Sequence, residues 1–164
     1  MRILGAALLV LCGAALGLGR LANMKKTMAF LRAMDKALGL MAGEIELCAR
    51  PLPELFELVS VRGDEPVRGF FACLWAKCSF MSAGEAWGEC CRVLELPEGI
   101  KAALLPLGAV LGCYDGPRQC AELALVRRSL TAEAEAVRER LASKGRTWPA
   151  LGACLAGVAA MLII

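Results

Sequence analysis

Two stretches without a single charge stand near the ends of this chain, and amphipathic patterns fill the region between them. Ile3–Gly19 and Trp148–Ile164 hold no Asp, Glu, Lys or Arg. As a helix each would be about 25 Å long, slightly less than the roughly 30 Å of a bilayer core. Trp148 stands at the edge of the second stretch, and Arg138, Arg140, Lys144 and Arg146 precede it. An amphipathic ring and a basic cluster suit the headgroup layer. A core helix keeps a polar face, and neither stretch has one. The pattern predicts transmembrane helices at residues 1–19 and 148–164. Ala15-Leu16-Gly17 would pass as a signal-peptide cleavage site. The helical pattern that follows without a break favours an uncleaved anchor.

The intervening region, residues 20–146, reads as helix throughout. Met24, Met28, Leu31, Met34, Leu38, Met41 and Ile45 recur near helical spacing across Leu21–Arg50. Arg50-Pro51-Leu52-Pro53 should end that helix, because a proline disfavours helix at the residue before it. Pro53 suits the first turn of a short helix through Val61. Asp64 is placed to cap a helix from Glu65 to Phe80, and Ser82-Ala83-Gly84-Glu85 is a capping box opening one to about Leu96. Pro97–Gly112 forms another, which Pro106 should kink or break. The last runs from Pro117 to about Lys144, with Leu123, Val126, Leu130, Ala134, Val137 and Leu141 in steps of three and four. No segment alternates as a strand would. The fold class expected is all-α: a helical bundle domain between an N-terminal and a C-terminal transmembrane helix.

Charge sets the orientation. Of the 19 Lys and Arg residues, only Arg2 lies outside residues 20–146. The positive-inside rule therefore places the bundle in the cytoplasm and both chain ends across the membrane. A net charge of +3 and 5% aromatic residues give no case for nucleic acid. The mean hydropathy of +0.57 fits a chain with membrane segments.

Little reactive chemistry is available. The absence of His removes the commonest general base and every Ser/His/Asp or Cys/His arrangement. Ser143-Lys144-Gly145-Arg146-Thr147 lacks the glycine spacing of a phosphate-binding loop. Glu44 and Glu46 project from different helix faces and make a poor catalytic dyad. The nine cysteines include no C-x-x-C pair and two lie in the apolar ends, so they read as small buried hydrophobes in a reducing compartment. The competing reading is a Cys-rich redox or metal-binding membrane protein using Cys73, Cys78, Cys90 and Cys91, whose spacing is wrong for zinc knuckles. No catalytic residue, cofactor or metal is expected.

Four stretches in order resemble a known family. They are Gly43-Glu44-Ile45-Glu46 with Ala49-Arg50-Pro51-Leu52; Glu85-Ala86-Trp87; Leu111-Gly112-Cys113-Tyr114-Asp115 with Gln119 and Leu123-Ala124-Leu125; and Leu151-Gly152 through Ile164. Together they resemble stage III sporulation protein AB of endospore-forming bacteria. Arg50 stands where that family usually has Thr, Gly88 where it has Glu, and its basic-His pair after the Gln is missing. The resemblance implies a non-enzymatic platform in the channel complex linking mother cell and forespore, required for sporulation. It implies a soluble domain like the cytoplasmic domain of type II secretion F-type proteins. The implied partners are the complex's ATPase, stage III sporulation protein AA, other channel-complex membrane proteins, the lipid bilayer, and further copies of the chain itself. The residues it points to for partner binding are Glu44, Glu46, Arg50, Pro51, Leu52, Trp87, Asp115 and Gln119. Glu46 and Arg50, four apart, should pair on one helix face.

Overall fold

The computed structural model describes the backbone of residues 2–113 and 116–161 and the side chains of residues 19, 21–113 and 116–143. All of its regular structure is helical: α1 (Arg2–Cys48), α2 (Leu52–Arg62), α3 (Glu65–Lys77), α4 (Ala83–Val93), α5 (Glu98–Val110) and α6 (Gly116–Met161). The chain divides into two compact units. One is Thr27–Glu135; the other joins the two chain ends, Met1–Lys26 and Ala136–Ile164. The side chains of the two apolar segments fall outside the described residues. Among the described residues no helix is long and apolar enough to cross a membrane.

The unit Thr27–Glu135 holds the core. From α1 it buries Leu31, Met34, Leu38, Met41 and Ile45, an unbroken three-four alternation. From α6 it buries Leu123, Val126 and Leu130. These two helices run antiparallel here. Arg127 bonds Asp35 at 2.8 and 3.3 Å, Cys120 Sγ donates to the Ala42 carbonyl at 3.5 Å, and a methyl on Gly116 would sit 3.5 Å from Ile45. A two-point Arg–carboxylate contact fixes orientation as well as charge. The carboxylate also raises the Arg127 pKa above its ordinary value.

The shorter helices add an aromatic cluster. Phe56 of α2, Phe70 and Phe71 of α3 and Trp87 of α4 pack with ring centroids 5.1–6.2 Å apart. Trp87 donates its indole N–H to the Leu104 carbonyl of α5 at 2.9 Å, so its one polar atom is satisfied inside the core. At the α4–α5 crossing the backbones touch. A Cβ on Gly84 would lie 2.2 Å from the Gly108 carbonyl oxygen, and one on Gly108 would lie 3.0 Å from that of Gly84. Gly84→Ala should therefore push the helices apart and cost roughly 1–3 kcal/mol. Gly69→Ala, at an exposed helical site with nothing within 4 Å, should instead stabilise by about 0.5–1 kcal/mol. Urea unfolding of the two variants measures that opposition in sign.

Several local expectations hold and others shift. Both arms of the capping box form: Glu85 N–H donates to Ser82 Oγ at 3.4 Å, and Ser82 N–H donates to Glu85 Oε2 at 3.1 Å. The Ser82 hydroxyl also donates to Glu85 Oε2, at 2.8 Å, and that bond, with the one from the Ser82 N–H, holds the Glu85 carboxyl below its ordinary pKa. Asp64 occupies the cap position of α3 but makes no side-chain cap bond. It accepts instead from Lys36 of α1 at 3.2 Å. Pro106 does not break α5, which runs on to Val110. The bond it removes belongs to Ala102, and both residues face solvent, where water can serve that carbonyl. The α3 and α4 helices stop at Lys77 and Val93, three residues earlier than the pattern suggests in each case.

Candidate functional site

Most of the partner-binding residues expected from the sequence come together at one end of the Thr27–Glu135 unit. There α1 ends, the Ala49–Pro51 link leads into α2, the α5–α6 turn passes, and α6 begins. Four contacts fix the arrangement. Gly116 lies against Ile45, Cys120 against Ala42, Arg50 against Glu44, and Leu52 Cδ1 lies 3.7 Å from where a Gly112 Cβ would be.

The turn that builds this end departs from ordinary backbone. Ala49 has φ +48°, and its N–H bonds the Ile45 carbonyl at 3.1 Å, closing α1. A left-handed residue commonly ends a helix, and glycine is usual there because a Cβ is strained in that region. Gly112, at φ +82°, does the same job for α5 with the residue suited to it. Because Ala49 leaves the helix, Arg50 does not follow Glu46 on a helical face. The expected Glu46–Arg50 pair is absent: Arg50 turns back to Glu44, with its Nε 3.1 Å from Oε2. That oxygen is shielded from solvent and finds no well-directed hydrogen bond, so the contact is ionic rather than a shaped bond. With the Arg50 side chain 38% exposed, the pair is screened and contributes about 0.2–1 kcal/mol.

The remaining residues take distinct places. Glu46 and Pro51 are exposed, and Leu52 is half-buried. Gln119, in the first turns of α6, is buried at 6% exposure, and its amide nitrogen has no partner among the described residues. Burial, helped by the Glu46 charge, raises the thiol of the adjacent Cys120. Asp115 lies outside the described residues. Trp87 is wholly buried in the aromatic cluster and offers no surface at this end.

One surface residue escaped sequence reasoning. Leu47 is 86% exposed beside Glu46. The signal was available: Leu38, Met41 and Ile45 set the buried stripe, and Leu47 is out of phase with it. Exposed Leu47 and half-buried Leu52 thus share this end of the unit with the Glu44–Arg50 ion pair, a mix of apolar and charged side chains that suits a protein–protein contact.

Reacting groups are scarce here. A cleft between the start of α4 and the end of α5 is lined by Ser82, Gly84, Glu85, Gly108, Leu111 and Cys113. Its Ser and Glu are already bonded to each other in the capping box. Among the described residues no three of His, Cys, Asp or Glu group so as to hold a metal.

The comparisons with known proteins agree with this architecture. A solved structure titled Stage III sporulation protein AB superposes with a TM-score of 0.64 at 20% identity, covering 71% of this chain and 97% of that one. At that identity the likeness speaks for the fold. No curated protein is significantly similar in sequence. The sequence profile of the family described as Stage III sporulation protein AB matches residues 2–164, nearly the whole chain. The chain therefore belongs to the stage III sporulation protein AB family, and its role lies in sporulation.

Proposed function

We propose that the chain is a non-enzymatic membrane platform of the channel complex between mother cell and forespore. Ile3–Gly19 and Trp148–Ile164 anchor it as two transmembrane helices, and residues 20–146 face the cytoplasm of the mother cell. There the domain couples the complex's ATPase, stage III sporulation protein AA, to the membrane components of the channel. The observation that carries the reading is the family match along residues 2–164, which takes in both uncharged segments as well as the bundle. The end of the bundle built by Glu44, Leu47, Arg50 and Leu52 supports it as the docking surface. It mixes an exposed apolar side chain with charge.

Thiol labelling tests the topology. A cysteine introduced beside Gly63, in a chain whose native cysteines are replaced, should resist an impermeant reagent outside intact cells and react once the cells are opened. Labelling in intact cells would place the domain outside and end this reading.

A further inference from the structure

Two cysteines from different helices meet at the edge of the core. Cys90 Sγ of α4 donates to Cys73 Sγ of α3 at 3.3 Å. Cys73 is exposed and Cys90 is buried. The helices are neighbours joined by the short turn before Ser82, and a second contact ties them beside the thiols: Lys77, one turn beyond Cys73, pairs with Glu89. No other pair of cysteines is bonded through sulfur in this way among the described residues.

We propose that Cys73 and Cys90 form an oxidisable dithiol, a site at which a low-molecular-weight disulfide is reduced and α3 becomes covalently tied to α4. The inference rests on the α3–α4 geometry alone and is independent of the platform reading. Exposure decides the order of events. The Cys73 thiolate attacks one sulfur of the small disulfide RSSR, forming Cys73–S–S–R and releasing RS⁻. That thiolate takes up the Cys90 proton. Cys90 sulfur then attacks Cys73 Sγ, forms the Cys73–Cys90 bond and expels the second RS⁻, which takes up the Cys73 proton. Two protein thiols lose two electrons and two protons, and RSSR becomes two RSH.

The geometry favours the second step. The sulfurs must close by roughly 1.2 Å to reach bonding distance, a movement on the scale of side-chain rotation rather than helix displacement. Holding the resolving thiol against its target turns that step into an intramolecular one. Burial pushes the Cys90 thiol up to about 12, which keeps it unreactive toward outside reagents, while the nearby Lys77 charge favours its thiolate. Burial also pushes the Cys91 thiol up to about 12 and raises that of Cys78, and neither is bonded to another cysteine among the described residues. Folding does not depend on the bond, since the reduced thiols already pack in the folded unit.

The full-length protein in detergent, treated with oxidised glutathione, tests the proposal. Peptide mapping should show a Cys73–Cys90 crosslink as the main product, with the chain lighter by two hydrogens. The tie closes a loop across 17 positions, and the melting temperature should rise by roughly 5–10 °C and fall back with dithiothreitol. In Cys90→Ser the glutathionyl adduct should remain on Cys73. Cys73→Ser, at an exposed position that tolerates the change, should show neither crosslink nor shift. A lasting glutathionyl adduct on Cys73 of the unmodified sequence would overturn the proposal, as would a crosslink from Cys73 to any other cysteine.

Discussion

Trp87→Ala should lower the stability of the folded domain by about 3–5 kcal/mol. The side chain is wholly buried and packs edge-on against Phe70 at 5.1 Å, with Phe71 at 6.2 Å. Its removal takes away apolar burial and ring contacts and leaves a cavity where α3, α4 and α5 meet. Against a total of about 5–15 kcal/mol for an ordinary domain, that is a large fraction. Trp87→Phe separates the terms. It keeps a ring against Phe70 and gives up the N–H donated to Leu104, so the loss should be smaller, about 1–2 kcal/mol. Urea unfolding followed by far-UV circular dichroism measures both. The family resemblance placed Trp87 among partner-contacting residues. Its position in the core makes a different claim: Trp87→Phe, folded but weakened, should bind partners unchanged. Normal stability with lost binding would return Trp87 to the interface.

The second large effect is expected on binding rather than folding. Exchanging the charges of the ion pair, Glu44→Lys with Arg50→Glu, should alter monomer stability by less than about 1 kcal/mol, because a screened pair is re-formed with opposite sense. A partner whose charges complement the present arrangement would meet like charges instead. That should weaken its binding by about 2–5 kcal/mol, mainly through slower association. The pair is chosen because the turn at Ala49 directs Arg50 to Glu44. The Glu46–Arg50 pair anticipated from spacing would have been the wrong one to exchange. Leu47→Ala offers a charge-neutral check. The side chain is already in water, so truncation should leave stability nearly untouched while weakening a partner that buries it.

What could be read from the sequence follows the distance over which each feature is decided. The α1 stripe of Leu31, Met34, Leu38, Met41 and Ile45 is periodic, and the structure buries all five. The Ser82–Glu85 box lies within one turn of backbone, and both of its arms form. Asp64 looked equivalent, yet its carboxylate goes to Lys36, 28 positions away, which no local pattern reveals. Pro106 predicts a kink or a break, yet α5 runs on to Val110, because the effect of a proline depends on where the lost bond points, and solvent lies there. The Arg50 partner depended on one left-handed residue, and alanine gives no warning of that conformation. The same reason hides the dithiol. Cys73 and Cys90 are 17 apart in the chain, and only the packing of α3 on α4 makes them neighbours. For the site, the resemblance gathered Glu44, Glu46, Arg50, Pro51 and Leu52 because they are nearly contiguous. It also gathered Trp87, since a buried tryptophan and a docking tryptophan look alike in sequence.

The most direct measurement is the affinity of the stage III sporulation protein AA ATPase for the full-length chain in a lipid bilayer, beside the Glu44→Lys/Arg50→Glu variant. The account predicts saturable binding to the unmodified sequence and binding weaker by about 30-fold or more to a variant that melts normally. Equal binding by a well-folded variant would remove this end of the bundle from the interface. Absence of binding by the unmodified chain would contradict the platform itself.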